Sequence, residues 1–169
     1  ESLQERLKFY VGAGPSASKL DLEPESSLGE AVFIIYGHDR AAALELQQLI
    51  GDQTQLDVVL MDQEPHVGRT LIEKFEEQAS DCGYAIAVFT PNDVVGDDDA
   101  KYAQMRPNVV FELGWFAGRL GREHTCILYK EPTEIPSDLQ GVGYHKFHES
   151  VEEVWLRIEA ELREAEMIE

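Results

Sequence analysis

Glu112 is the residue whose type and surroundings most strongly suggest chemistry. Its neighbours in the chain are apolar: Val109, Val110, Phe111, Leu113, Trp115 and Phe116. A carboxylate in such company on a largely buried helix costs free energy unless it has a partner or a function. Arg106, Asn108 and Glu112 lie roughly on one helix face, because residues four apart are helical neighbours. The pattern fits either a catalytic acid or a structural glutamate paired with an arginine.

A second candidate segment comprises Tyr36, Gly37, His38 and Asp39 at the end of an apolar run. Gly37 permits a tight turn, and the helix expected to start at Asp39 offers free N–H groups that can hold a phosphate. The simpler alternative is a plain strand-to-helix turn that Asp39 caps. Neither a GxGxxG pattern nor a P-loop is present, so the nucleotide signal of this turn is not specific.

A third segment, residues 68–76, carries Arg69 and Thr70. Both could face an anionic ligand, and arginine makes forked hydrogen bonds to phosphate. Glu73 lies one helical turn from Arg69, so an ordinary surface ion pair explains the same residues. The histidines show no HxxxH spacing and the run 97–99 lacks the spacing of an EF-hand, so we predict no metal site.

Apolar runs alternate with amphipathic segments from Ala31 onward, and this order predicts the elements that position these residues. We predict strands at 31–36, 56–61, 84–89 and 124–129, a weak fifth at 143–147, and helices at 40–50, 69–79, 106–120 and 151–166. The order favours a flavodoxin-like α/β three-layer sandwich with a five-stranded parallel sheet, order 2-1-3-4-5. Ligands bind outside the carboxyl ends of the strands in such sheets. This rule indicates the loops 36–40, 62–69 and 90–106 as the candidate site.

Charge and composition narrow the class of partner. The 169 residues include 33 acidic and 14 basic side chains, a formal charge of −19. The negative electrostatic field of such a chain opposes binding to nucleic acid or to an anionic membrane surface. Cys82 and Cys126 form no CxxC pair, which favours a reduced compartment, and we expect a cytoplasmic protein.

The domain boundary is expected near Ala31. Residues 11–30 carry Gly, Pro, Ser and acidic side chains with little periodicity, whereas residues 1–10 could form a short helix. We interpret residues 1–30 as a linker or the end of an upstream region. Residues 31–169 then form the compact domain. The chain begins at Glu1 rather than Met, so we expect it to be part of a longer protein.

Five segments in order resemble the prokaryotic TIR-like domains of anti-phage signalling systems. They are VFIIYGHD, GRTLIEKFE, AVFTPNDVVGDD, RPNVVFELGWFAGRLGRE and CILYKEPTEIPSDLQGV. This family includes the TIR effectors of CBASS and Pycsar defence and the TIR half of bacterial TIR–STING fusions. The resemblance covers about residues 31–148, and the shared order of several motifs makes it specific.

The resemblance implies NAD glycohydrolase activity that is switched on by oligomerisation through TIR–TIR contacts. Glu112 matches the catalytic glutamate of the NVVFE-type motif, to which Arg106 and Asn108 also belong. Gly37, His38, Asp39 and Asp93 match positions that line the family's nucleotide cleft. NAD would then be a substrate rather than a cofactor, and the full-length chain could carry a cyclic-nucleotide-sensing domain.

The chemistry of NAD suits a single acid. Nicotinamide leaves as a neutral molecule, so no second carboxylate is needed to protonate it, unlike in most glycosidases. Glu112 would stabilise the oxocarbenium-like sugar, Arg69 could contact phosphate, and Trp115 or Tyr36 could stack on a ring. The alternatives are a non-catalytic TIR module that binds a nucleotide or another TIR domain, and an enzyme resembling nucleoside deoxyribosyltransferases.

Overall fold

Strands and helices alternate along the chain. The computed structural model describes residues 29–60, 71–91, 94–95, 102–103, 107–133, 135, 139 and 141–169. The strands are β1 (Ala31–Tyr36), β2 (Val58–Leu60), β3 (Cys82–Phe89), β4 (Val94–Val95), β5 (Tyr102–Ala103), β6 (Thr125–Lys130) and β7 (Gly143–Phe147). The helices are α1 (Arg40–Thr54), α2 (Leu71–Ala79), α3 (Pro107–Leu120) and α4 (Trp155–Glu164), with 3-10 turns at Arg122–His124 and Val151–Val154.

Five strands form one sheet in the order β2-β1-β3-β6-β7. Every neighbouring pair in it is parallel. Counting only the strands of this sheet, the order is 2-1-3-4-5, which confirms the predicted flavodoxin-like fold class. The strands β4 and β5 pair separately as a short antiparallel ribbon.

The core lies on both faces of the sheet because successive strand residues point to opposite sides. Val32 and Ile34 of β1 face a layer formed by α1, the 3-10 turn at Val151–Val154 and α4. Phe33 and Ile35 face the layer formed by α2 and α3. All eight residues of β3 are buried, as expected of a central strand covered by helices on both faces.

The predicted elements are confirmed, with differences at their ends. The helix α1 continues four residues past the predicted Ile50, to Thr54, and Gln55 ends it in the left-handed region with φ 63°. The last helix begins as a 3-10 turn with a capping box between Ser150 and Glu153. We did not predict β4 and β5, because two residues are too few to show a periodic pattern.

Some predictions fall on residues that the structure leaves out. Residues 1–28 of the predicted linker, residue 61 of the second strand and residues 69–70 of the second helix lie outside the described residues. In the described ranges, no helix combines the length and the apolar character needed to span a membrane.

Gly83 tests how closely the start of β3 packs against the backbone of Gly29, just ahead of β1. A Cβ built on this residue would lie 2.0 Å from the backbone oxygen of Gly29, whereas one on Gly114 in α3 would meet nothing within 4 Å. We expect Gly83→Ala to destabilise the domain by about 1–3 kcal/mol, because the backbone must shift. Gly114→Ala is the matched control and should stabilise by about 0.5–1 kcal/mol. Urea unfolding measures both, and equal effects would contradict this packing.

Candidate functional site

The carboxyl ends of β1 and β3 lie side by side, and two predicted segments follow them. Tyr36 at the end of β1 is in register with Val88 of β3. Gly37, His38 and Asp39 therefore leave the sheet beside the end of β3. The chain after β3 leads to α3, whose first turns carry Asn108 and Glu112. The topology thus places the first-loop residues and α3 at the edge of the sheet where ligands bind in this class of fold.

Glu112 is half-buried in the second turn of α3. Burial alone raises the pKa of its carboxyl from 4.5 to about 7. Among the described residues, no cation lowers this pKa, and none forms an ion pair or hydrogen bond with the carboxylate. Glu112 is thus a carboxyl group that titrates near neutral pH and leaves its oxygens available to a ligand.

Arg119 is the described arginine of α3, and it does not neutralise Glu112. Its guanidinium donates hydrogen bonds to the backbone oxygens of Ala79 and, at 2.6 Å, Ser80. These carbonyls end α2, so Arg119 caps that helix and ties α3 to it. We did not single out this residue from the sequence, although a basic side chain in the last turn of a helix was a usable signal. Arg106, which the sequence places on the same helix face as Glu112, lies outside the described residues.

Trp115 packs within an aromatic cluster between α2 and α3. Its ring lies 5.0 Å from that of Phe75 and 5.1 Å from that of Phe116, both nearly edge-on. The Arg119 guanidinium lies over the ring, 5.2 Å from its centroid. Much of the indole is therefore used to fix the rotation of α3, which orients Glu112 one turn earlier.

Asp39 caps α1, as the simpler alternative predicted. Its carboxylate accepts hydrogen bonds from the backbone N–H groups of Ala41 and Ala42 at 3.1 and 3.3 Å. Our expectation of free N–H groups at this helix start is wrong for these two residues. A phosphate bound here would also meet the negative charge of Asp39, so the turn is poorly suited to hold one.

The remaining predicted residues divide into two groups. Asn108 is exposed one turn before Glu112, Tyr36 is half-buried, and His38 is exposed beyond the end of β1. Arg69, Asp93 and Arg106 lie outside the described residues, so the structure does not place them relative to Glu112. Within the described ranges, no group of three or more His, Cys, Asp or Glu could hold a metal ion.

The sheet order and the half-buried acid on the helix that begins beside its carboxyl edge describe a flavodoxin-like α/β domain. Residues 31–149 match the family model described as the CAP12/Pycsar effector protein TIR domain. Because this match spans more than half of the chain, the chain belongs to that family.

Three relatives illustrate the match. YuaY of Escherichia coli strain K12 is 38% identical over 120 residues, which are 70% of this chain and 40% of that protein. The Pycsar effector protein PaPycTIR of Pseudomonas aeruginosa is 44% identical over 78 residues, 43% of this chain and 25% of that protein. CD-NTase-associated protein 12 of Sphingobacterium faecium is 27% identical over 103 residues, 61% of this chain and 31% of that protein. The chain therefore spans less than half the length of these relatives.

Glu112→Gln should stabilise the domain, and increasingly so as the pH rises. The folded state holds the proton of Glu112 up to about pH 7, whereas an exposed glutamate loses it near 4.5. The contribution of the protonated carboxyl to the free energy of unfolding is therefore fully present below pH 4.5. It is lost as the pH rises through about 7, because the folded state must then bury an ionised carboxylate. Gln stays neutral, so we expect a gain of about 1–3 kcal/mol above neutral pH and little below pH 5.

Urea unfolding of both proteins at several pH values checks this difference. Glu76→Gln is the matched control, because this glutamate is exposed on α2 and its charge is solvated. A pH-independent difference between Glu112→Gln and the parent protein would contradict a half-buried Glu112 that has no partner among the residues the structure describes.

Proposed function

We propose that this domain is an NAD nucleosidase that hydrolyses the bond between nicotinamide and ribose, with Glu112 as the catalytic residue. The observation that carries the proposal is the half-buried carboxyl of Glu112, which has no described partner and lies on a helix that begins beside the carboxyl edge of the sheet. A structural glutamate in that position would need a partner to offset its desolvation. The lack of one among the described residues supports a role toward a ligand.

The reaction requires one negative group near the sugar. As nicotinamide departs, C1 of the ribose gains oxocarbenium character, and an ionised carboxylate stabilises that charge most strongly where water is excluded. The bond from C1 to the nicotinamide nitrogen breaks with its electron pair going to the nitrogen. Water then adds to C1 and loses a proton, which gives ADP-ribose and neutral nicotinamide.

The neighbouring residues have distinct proposed tasks. Asn108, one turn from Glu112, is suited to hydrogen-bond a ribose hydroxyl, and Tyr36 and His38 border the site from the end of β1. Because Asp39 caps α1, we assign the diphosphate to the loops 62–69 and 90–106, which contain Arg69 and Arg106.

Glu112→Gln should lower the rate of nicotinamide release by at least about a hundredfold, in line with other single electrostatic groups of active sites. The measurement is chromatographic detection of nicotinamide after incubation of concentrated protein with NAD. Glu76→Gln should retain full activity, and circular dichroism of both variants controls for folding. Equal activity of Glu112→Gln and the parent would exclude Glu112, and no release by the parent even when assembled would favour a binding module.

The rate should rise with pH through about 7, because the carboxyl of Glu112 must be ionised and burial raises its pKa to about that value. We expect kcat/KM to fall about tenfold for each unit below this pKa, as the ionised fraction of the free enzyme does. A steady-state series at NAD concentrations well below KM, between pH 5.5 and 8.5, measures the profile. A rate that stays constant over this range would assign the chemistry to a different group or to a slow step that precedes it.

The proposal includes activation by self-association. Ile72 of α2 and Phe111 of α3 are each 55% exposed although both are large and apolar. Ile72 lies one turn before Phe75, and Phe111 lies one turn before Trp115; the rings of Phe75 and Trp115 are in contact. Ile72 and Phe111 therefore lie near the amino ends of α2 and α3, which are the ends nearest the candidate site. Burial of exposed apolar side chains favours association, and this surface carries them beside the site.

Activity per molecule should therefore increase with protein concentration, and Phe111→Ser should weaken that increase. Leu156→Ser is the matched control, because Leu156 is 77% exposed on α4, on the other side of the sheet. Nicotinamide release over a dilution series, with sedimentation velocity on the same samples, measures activity and assembly together. A dilute monomer as active as the concentrated sample would contradict this part of the proposal, whatever the outcome for Glu112.

The relatives suggest the setting of this activity. Several carry the names Pycsar effector and CD-NTase-associated protein, and they are longer than this chain. We propose that the domain depletes NAD in the bacterial cytoplasm as an effector of anti-phage defence. A cyclic-nucleotide-sensing domain in the full-length protein would supply the signal for assembly.

A further inference from the structure

Arg119 stands at the end of a line of side chains on one face of α3 that begins with Glu112. Residues 112, 115 and 119 are three and four apart, so they lie on successive turns of the same face. The ring of Trp115 lies 5.0 Å from that of Phe75 in α2, and the Arg119 guanidinium binds the carbonyl groups that end α2. Glu112 therefore lies on the face of α3 that is turned toward α2.

The helices α2 and α3 run side by side in register. Phe75 and Ala79 are one turn apart in α2, and their contacts, Trp115 and Arg119, are one turn apart in α3. One turn further toward the amino ends, this register places Glu112 opposite the first turn of α2. A side-chain atom 5–6 Å from a helix axis moves by about 1 Å when the helix rotates by about 10°. The place of the Glu112 carboxylate therefore depends on what holds the rotation of α3.

The carbonyl groups that Arg119 binds belong to a part of the domain that is tied to the sheet. Ser80 follows the last residue of α2, and the backbone oxygen of the next residue, Asp81, accepts a hydrogen bond from the N–H of Ala31 at 3.3 Å. The backbone of Gly29 packs so closely that a Cβ on it would lie 2.0 Å from the same oxygen. Through Arg119, the rotation of α3 is thus set relative to the strands.

An arginine suits this task because its donors lie in one rigid plane. Two hydrogen bonds to successive carbonyl groups fix the direction of the guanidinium, whereas a single bond would let it swivel. The guanidinium also lies over the ring of Trp115, which fixes its own position by a second contact. A lysine at this position would keep the positive charge but not the forked geometry.

We propose that Arg119 is a positioning residue for Glu112: it holds α3 in the rotation that turns the carboxylate into the groove between α2 and α3. Arg119 lies two turns from Glu112 and acts through the helix rather than on the substrate. Its effect on the rate rests on the function proposed above, whereas its effect on the surroundings of Glu112 requires no reaction.

The first test follows the Glu112 carboxyl by carbon-13 NMR during a pH titration without NAD. Burial raises the pKa of this carboxyl to about 7. Arg119→Met removes the donors at similar length, so α3 is free to rotate, the carboxyl gains solvent, and its pKa should fall by at least about half a unit. Loss of a positive charge alone would raise the pKa, so a fall reports solvation. Arg119→Lys should lie between the parent and Arg119→Met.

The second test measures nicotinamide release at saturating NAD and at about pH 8.5, where Glu112 is ionised. Arg119→Met should lower kcat about tenfold to a hundredfold, because a displacement of about 1 Å costs up to about a hundredfold. KM should change less than about threefold, and Arg119→Lys should recover part of the rate. Arg157→Met is the matched control in both tests, because it removes the same charge from an exposed position on α4 and should behave as the parent.

The outcomes distinguish this proposal from the function proposed for the domain. A pKa and a kcat of Arg119→Met equal to those of the parent would overturn it, even if the variant unfolds at a lower temperature. A lowered pKa with an unchanged kcat would overturn the role in the reaction. A lowered pKa in a chain whose parent releases no nicotinamide would support the positioning of Glu112 and exclude NAD hydrolysis. If Arg119→Met does not fold, parent-like values for folded Arg119→Lys in both tests would overturn the proposal.

Discussion

The packing of α3 against α2 is the interaction on which the candidate active site depends. Phe75 and Trp115 meet edge to face, and Arg119 binds the carbonyl groups that end α2. These contacts fix the rotation of α3 without using a carboxylate. Glu112 can therefore stay half-buried, with no ion-pair partner in the described part of the chain, while the helix that carries it remains firmly held.

This arrangement separates the residues that stabilise α3 from the residue that we propose to be catalytic. In the buried face of α3, apolar side chains anchor the helix to the sheet, whereas Glu112 lies at the margin of that face and raises the free energy of the folded state when it is ionised. The same desolvation would make an ionised carboxylate a stronger partner for developing positive charge. Desolvation of the Glu112 carboxylate would thus both lower the stability of the folded domain and raise the reactivity proposed for this residue.

The fold could be predicted from the sequence because its signals are local. The continuous apolar runs of β1 and β3 and the helical spacing of α3 each fall within a few residues of the chain. The two-residue ribbon of β4 and β5 has no comparable signal, and the four extra residues of α1 depend on a left-handed Gln55 that composition does not reveal.

The site was predictable only in part, for a different reason. Glu112 could be found because it is a charged residue among apolar neighbours. Asp39 could be found because aspartate is a preferred residue directly before the first turn of a helix. The role of Arg119 depends on carbonyl groups about forty residues earlier in the chain. Contacts of this kind become visible only when the helices and strands are assembled.

The closeness of Gly29, Gly83 and Met167 has a consequence for how the domain can be built into larger proteins. A side chain on Gly83 would meet both the Gly29 backbone and the Met167 sulfur, so the first and last parts of the described domain converge on one strand. Any segment joined ahead of Gly29 reaches the domain at the end remote from Glu112. Such an architecture is modular: fused regions can be exchanged without reshaping the edge where α3 begins, which suits a domain that spans only part of its relatives.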